Sequence, residues 1–216
     1  MSLARLLQLA SPALPVGAYS YSGGLEAACE SGIVNDAASA ERWIGDVLEF
    51  SVARMEAPIL HCLIRAFDNN DSGEIRELNE RFLASRETAE LLAETVQMGY
   101  SMKRLFADLG LGEVPLAEPA FPAAYAFAAS QWKIDADAAL QAYLWAWLEN
   151  QVMAAVKAVP LGQTDGQRIL LSLGGRLPAL TEKAKAMKEE DTGNFAPGLA
   201  VLSAKHETQY SRLFRS

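Results

Sequence analysis

The chain has little of what most catalytic sites are built from. Its 216 residues include two cysteines, Cys29 and Cys62, and two histidines, His61 and His206. Neither cysteine lies in a CxxC or comparable spacing, which argues against a disulfide framework or a structural zinc site and makes a reducing compartment the default. With so few imidazoles, a nucleophilic Ser or Cys has no evident base. There is no HExxH, no GxSxG and no GxxxxGK[ST], so zincin, α/β-hydrolase and P-loop chemistry all lack their signatures. Lys and Arg number 19 against 27 Asp and Glu, for a net charge of −8. No basic cluster invites nucleic acid or an anionic membrane. The start, MSLARLLQLASPALP, has one Arg and a short apolar run, unlike a signal peptide. The most apolar stretch, Ala138 to Val159, is interrupted by Gln141, Glu149-Asn150-Gln151 and Lys157, so it reads as a buried helix and not a membrane span. Cytoplasmic residence follows by elimination.

Strand-like alternation is also missing. Apolar spacing of three and four dominates instead, with Ala and Leu filling every periodic segment. Ile44, Val47, Leu48, Val52 and Met55 form one stripe; Ile59, Leu60, Leu63, Ile64 and Phe67 continue it after Pro58, where a kink or restart is expected. DNNDSG (68–73) marks a turn before a helix over about 74–85. A long helix through Leu92, Val96, Gly99 and Phe106 follows, in which Gly99 suggests close helix packing. After the loop GLGEVPLAEPAFP come helices over about 122–132, 135–159, 165–174 and 176–189. These readings predict an all-α, single-domain bundle of about eight to ten helices over residues 1–216, with 190–216 as a C-terminal tail. The helix carrying Trp145 and Trp147 is apolar nearly all round and needs neighbours on every side. His61-Cys62 reads as a packed pair, and Glu87, Glu90 and Glu94 as a solvated helix face.

Three segments say more than a bundle requires. SPALPVGAYSYSGGLEAACESGIV (11–34) combines stiff, small and aromatic residues before a helix whose first turn carries Glu26. In AAVKAVPLGQTDGQRILL (154–171), Thr164 or Asp165 is the expected cap of a new helix, which leaves Gln163 and Gln167 unexplained. The ending SAKHETQYSRLFRS (203–216) has three basic residues against Glu207, a net +2, leaving −10 on the rest. If it is helical, Tyr210 and Phe214 share a face with Arg212 and Arg215 beside them. Such an end either packs on its own body or anchors a partner.

Together with SRETAELLAETVQMGYSMKRL in the middle, these segments lie in an order and spacing that resemble the urease accessory protein family UreF over nearly the whole chain. The ending departs from the family pattern in carrying Ala204-Lys205 where relatives often have Arg before the histidine, which weakens any bidentate contact there. The resemblance implies an all-helical, homodimeric, cytoplasmic protein that is not an enzyme and holds no cofactor. It implies a bridge between the urease-binding partner UreD/UreH and the GTPase UreG, acting on apo-urease so that nickel reaches its site. It places UreD/UreH on Lys205, His206, Glu207, Tyr210, Arg212, Leu213, Phe214 and Arg215, and UreG on Glu26, Lys157, Gln163 and Gln167. Two further readings remain open: a GTPase-activating regulator of UreG using Gln163 or Arg168, and a direct nickel-binding metallochaperone, for which two His and two Cys make a thin ligand set.

Overall fold

The computed structural model describes residues 3–216 and contains no strand among them. Its α-helices are α1 (Leu3–Ala10), α2 (Leu25–Glu30), α3 (Ala37–Val47), α4 (Ala57–Asp68), α5 (Ser72–Ala84), α6 (Ala89–Asp108), α7 (Phe121–Gln131), α8 (Ala136–Ala158), α9 (Gln163–Gly174), α10 (Leu177–Ala186) and α11 (Pro197–His206). The all-α bundle predicted from apolar spacing is the observed fold. α8 runs through it, packed against α1, α2, α3, α4, α9 and α10, as its composition requires. Trp145 and Met153 nevertheless reach its outer side.

Between α3 and α4 the helix does not break at Pro58. It widens into a π-helical stretch, Leu48–Glu56, and resumes α geometry with Pro58 in the first turn of α4. Proline removes the N–H that would bond the Arg54 carbonyl. That carbonyl instead accepts the Gly193 N–H at 3.2 Å, and the Phe50 carbonyl accepts the Phe195 N–H at 2.9 Å. Asn194 sits between these bonds: the Ser51 hydroxyl donates to its Oδ1 at 3.0 Å, and its Nδ2 donates to the Ser85 carbonyl at 3.0 Å. The widened helix is thus the dock on which the C-terminal segment begins.

α7, FPAAYAFAASQ, is buried along almost its whole length and lies between α4 and α6. Its alanines allow that close approach. Phe106, Phe127 and Phe67 continue edge-to-face across the same layer, with centroids 5.7–6.4 Å apart. The loop entering α7 is pinned from two helices. Asn79 on α5 donates to the Glu118 carbonyl at 3.0 Å and accepts the Ala120 N–H at 2.8 Å, while Thr95 on α6 accepts the Phe121 N–H at 3.0 Å. This explains Gly99. A Cβ there would lie 2.0 Å from the Pro119 carbonyl oxygen and 2.9 Å from the Ala120 carbonyl carbon. Loop backbone, not a neighbouring helix, makes the close approach.

Gly99→Ala therefore tests the packing directly. Helix propensity favours Ala by about 1 kcal/mol, but overpacking against fixed backbone costs about 1–3 kcal/mol or more. A lower urea midpoint at unchanged m is expected. A midpoint that holds or rises would show that the loop is not seated on α6.

Candidate functional site

The segment before α2 turns sharply because Gly23 and Gly24 both take left-handed conformations, φ +55° and +78°. At Gly24 the demand is doubled: a Cβ would meet Leu199 Cδ1 at 3.1 Å and the Ser203 backbone nitrogen at 3.5 Å, because α11 crosses here. The turn places Glu26 in the first turn of α2, facing inward and only 7 % exposed.

A carboxylate so placed needs donors, and the C-terminal segment supplies them. Glu26 Oε1 accepts the Leu213 N–H at 2.7 Å, and Oε2 accepts the Phe214 N–H at 2.9 Å. Gln209 Nε2 lies 3.4 Å from Oε1, and His206 Nε2 3.2 Å from Oε2. His206, fully buried at the end of α11, sets its other nitrogen, Nδ1, 2.7 Å from Glu90 Oε2. Each ring nitrogen thus has a carboxylate oxygen as its partner. Arg212 completes the group, donating to Glu90 Oε1 at 2.7 Å. Two carboxylates thus share one imidazole and one guanidinium.

The same segment closes the surrounding edges. Glu207 accepts the Ala89 N–H at 2.9 Å, meeting one of the open donors in the first turn of α6. Thr88, the N-cap of α6, bonds Ser203 on α11 at 2.8 Å. Arg215 donates its N–H to the Ser20 carbonyl at 2.8 Å, and the Ser216 carbonyl accepts the Ser22 N–H at 2.9 Å and the Ser22 hydroxyl. Phe214 is buried, with Lys157 Nζ 4.7 Å from its ring centre. The stretch 11–34 is therefore the receiving half of a clasp, and 206–216 the inserted half.

The predicted residues divide accordingly. His206 and Phe214 point inward, and Arg212 is spent on Glu90. Lys205, Glu207, Tyr210, Leu213 and Arg215 remain on the surface, Tyr210 fully and Leu213 at 57 %. Glu26 and Lys157 join the clasp and do not form a separate face; charge reversal at Glu26 would strike a buried group, not a rim charge. Gln163 and Gln167 stand apart, exposed on α9 beside Leu171, which is 81 % exposed. The helical premise for the ending fails: α11 stops at His206, and Tyr210 and Phe214 face opposite ways because backbone N–H groups beyond it bond Glu26 instead of helix carbonyls. Nor do Thr164 or Asp165 cap α9. Its N-cap is Gly162, and Asp165 pairs with Arg168 at 2.9 Å. Glu90 and Glu94, read from sequence as solvated, turn toward the C-terminal segment.

Beside the clasp lies a cavity of about 460 Å³, largely apolar, walled in part by Leu9, Val16, Met98 and Trp147. On its wall Glu56 accepts from Arg86 at 3.0 Å and from the Tyr143 hydroxyl at 2.8 Å. Burial, reinforced by Glu56, holds that hydroxyl well above its usual range. His61 and Cys62 are half-buried on α4. Burial first, then Arg65, lowers the imidazole below its ordinary value. Among the described residues no three His, Cys, Asp or Glu side chains gather as a metal ligand set, and no helix is long and apolar enough to cross a membrane.

Glu26→Ala removes the acceptor for two backbone N–H groups and a partner of His206. Breaking a buried pair on one side costs about 3–5 kcal/mol. The expected result is a loss of that order in unfolding free energy, with rapid amide exchange confined to 207–216. A variant as stable and as protected as wild type would remove Glu26 from the centre of the clasp.

Comparison with known proteins places the chain in a family. The family model UreF matches residues 34–174. The chain is 62 % identical to the urease accessory protein UreF of Azoarcus sp. (strain BH72), over all of the chain and 96 % of that protein. It is 54 % identical to the urease accessory protein UreF of Dechloromonas aromatica (strain RCB) and 50 % to that of Janthinobacterium sp. (strain Marseille), each over all of the chain and 98 % of the relative. A clasp that joins the two ends of an all-helical body, in a chain related to these proteins from end to end, belongs to a member of the UreF family of urease accessory proteins.

Proposed function

We propose that the protein is a non-catalytic maturation factor that bridges UreD/UreH and the GTPase UreG on apo-urease, so that nickel reaches the enzyme's metal site. In this reading it works in the cytoplasm as a homodimer. The observation that carries it is the outward half of the clasp. Lys205, Glu207, Tyr210, Leu213 and Arg215 are held on an ordered segment whose inward half is anchored at Glu26. A partner meeting that surface finds an aromatic, an apolar side chain and charges already positioned, so it does not bear the full cost of ordering a loose end, about 1–2 kcal/mol per residue. UreD/UreH is assigned to this surface. UreG is assigned to the exposed ridge of α9 made by Gln163, Gln167 and Leu171, which begins six residues after Lys157.

A second reading, a GTPase-activating role toward UreG, draws on one feature of the same ridge. The Arg168 side chain is 75 % exposed and held by Asp165, and an exposed arginine beside glutamines suits a partner's phosphates. Steady-state GTP hydrolysis by UreG with wild type and with Arg168→Ala separates the two readings. Equal rates favour the bridge alone.

Tyr210→Ala with Leu213→Ala should weaken co-purification of UreD/UreH by about tenfold or more, since anchors of this kind each contribute about 2 kcal/mol. Both side chains are exposed, so the unfolding midpoint should not move. Gln163→Ala with Leu171→Ala should weaken UreG capture and spare UreD/UreH. Undiminished capture of UreD/UreH by the first pair would place that partner elsewhere.

A further inference from the structure

The cavity beside the clasp carries polar groups that the body leaves without partners. Gln151 of α8 lines it, is only 4 % exposed, and among the described residues its amide makes no hydrogen bond. Burying an amide in that state is costly. Glu94 of α6 lines the same space, and the one group that bonds it is the Ser216 hydroxyl, at 2.7 Å. The two belong to one corner. A Cβ at Gly23 would lie 3.4 Å from Gln151 Nε2, and the neighbouring Ser22 holds the Ser216 carbonyl. The cations nearby are committed elsewhere: Arg86 to Glu56 at 3.0 Å, and Arg212 to Glu90 at 2.7 Å. Glu149 of α8 adds a further carboxylate to the lining, so three acids, Glu56, Glu94 and Glu149, face the single guanidinium of Arg86. The rest of the wall is apolar and aromatic, with Phe82, Phe121, Tyr125 and Trp147 among its residues. It reaches the surface at Tyr19 and Met153, which are 72 % and 48 % exposed.

We infer that this cavity is a binding site for a small organic ammonium ion with an apolar or aromatic body, its charged head at Glu94 and Gln151 and its body among the rings. An alkylammonium has three N–H donors and no acceptor. It gives the Glu94 carboxylate the cation that it lacks and the Gln151 carbonyl oxygen a donor. An organic anion would enter against three carboxylates, and a neutral apolar molecule would leave both polar groups as they are. Aromatic faces add to the attraction for a cation held near them. Burial above all raises the Glu94 carboxyl to about 7, in keeping with an acid that has no cation of its own. The volume, about 460 Å³, falls in the range of small-molecule sites, about 300–1,000 Å³, and so suits a whole molecule and not one side chain. The site is built by this chain's own walls and does not depend on where UreD/UreH or UreG bind.

Phenethylamine is the probe, and phenethyl alcohol its neutral counterpart of nearly the same shape. The full chain would be labelled in its methionine methyl groups. Met98 is buried in the cavity wall, whereas Met187 is not part of the lining. Titration at about pH 8 keeps the amine protonated and Glu94 ionised. The amine should shift the Met98 methyl signal saturably and leave Met187 in place, and the alcohol should bind about tenfold or more weakly, the difference a charged hydrogen bond makes. No saturable shift at Met98, or equal binding of amine and alcohol, would overturn the site; both measurements use the wild-type protein alone. Glu94→Gln, which keeps the bond to Ser216 and loses the charge, should weaken the amine by about tenfold and leave the alcohol unchanged. An amine that binds this variant as well as wild type would overturn the assignment of the charged head to Glu94.

Discussion

The Glu26 carboxylate is the constraint on which the rest of the clasp depends. It is an acid buried at the start of a short helix, and it becomes tolerable only because the far end of the chain brings it donors. Leu213 and Phe214 give backbone N–H groups, and His206 gives a ring nitrogen. Removing any one leaves the others buried without partners, so the contacts stand or fall as a group. This is why residues 180 to 188 positions apart in the sequence form one unit, and why the body is shaped to admit them. Gly24 takes a left-handed φ where α11 crosses closely, and the π-helical stretch leaves carbonyls free for Gly193 and Phe195.

A terminal segment fixed this way differs from a flexible anchor. Chain ends fray unless tied down, and this one is tied at the π-helical stretch, at Glu26 and Glu90, and at Ser22. What remains outside is a pre-arranged surface. In the bridging role proposed above, that surface is the one UreD/UreH would meet. In that role the stability of the clasp and its readiness to bind would be coupled, so that a substitution at a buried position such as His206 would act on both.

Much of the fold was legible in the sequence because helix periodicity repeats over many residues. The three–four stripes located α4, α6 and α8, and the apolar composition of α8 foretold its neighbours. Single-residue events were harder. Pro58 was read as a kink or restart, and α4 does restart there, but whether the preceding helix breaks or widens depends on what accepts or supplies the displaced hydrogen bonds, and here that is a segment 135 residues later. Glu90 and Glu94 obey an amphipathic pattern and still point inward, since periodicity tells which residues share a face and not which element covers it. The resemblance proposed partner-facing residues one by one, but the spatial grouping of those residues was not legible: Glu26 and Lys157 sit with the C-terminal segment, and Gln163 and Gln167 do not. A buried acid in a first helical turn was the signal present in the sequence; its partners lay beyond the reach of local spacing.

The central claim is that Glu26 and His206 act on each other across the clasp, and a double-mutant cycle tests it most directly. Unfolding free energies from urea titration would be compared for wild type, Glu26→Gln, His206→Gln and the double variant. The account predicts a coupling of about 1–3 kcal/mol, with the second substitution costing far less once the first is made. Effects that add to within about 0.5 kcal/mol would contradict it, and would mean that the carboxylate and the imidazole are held by separate parts of the structure.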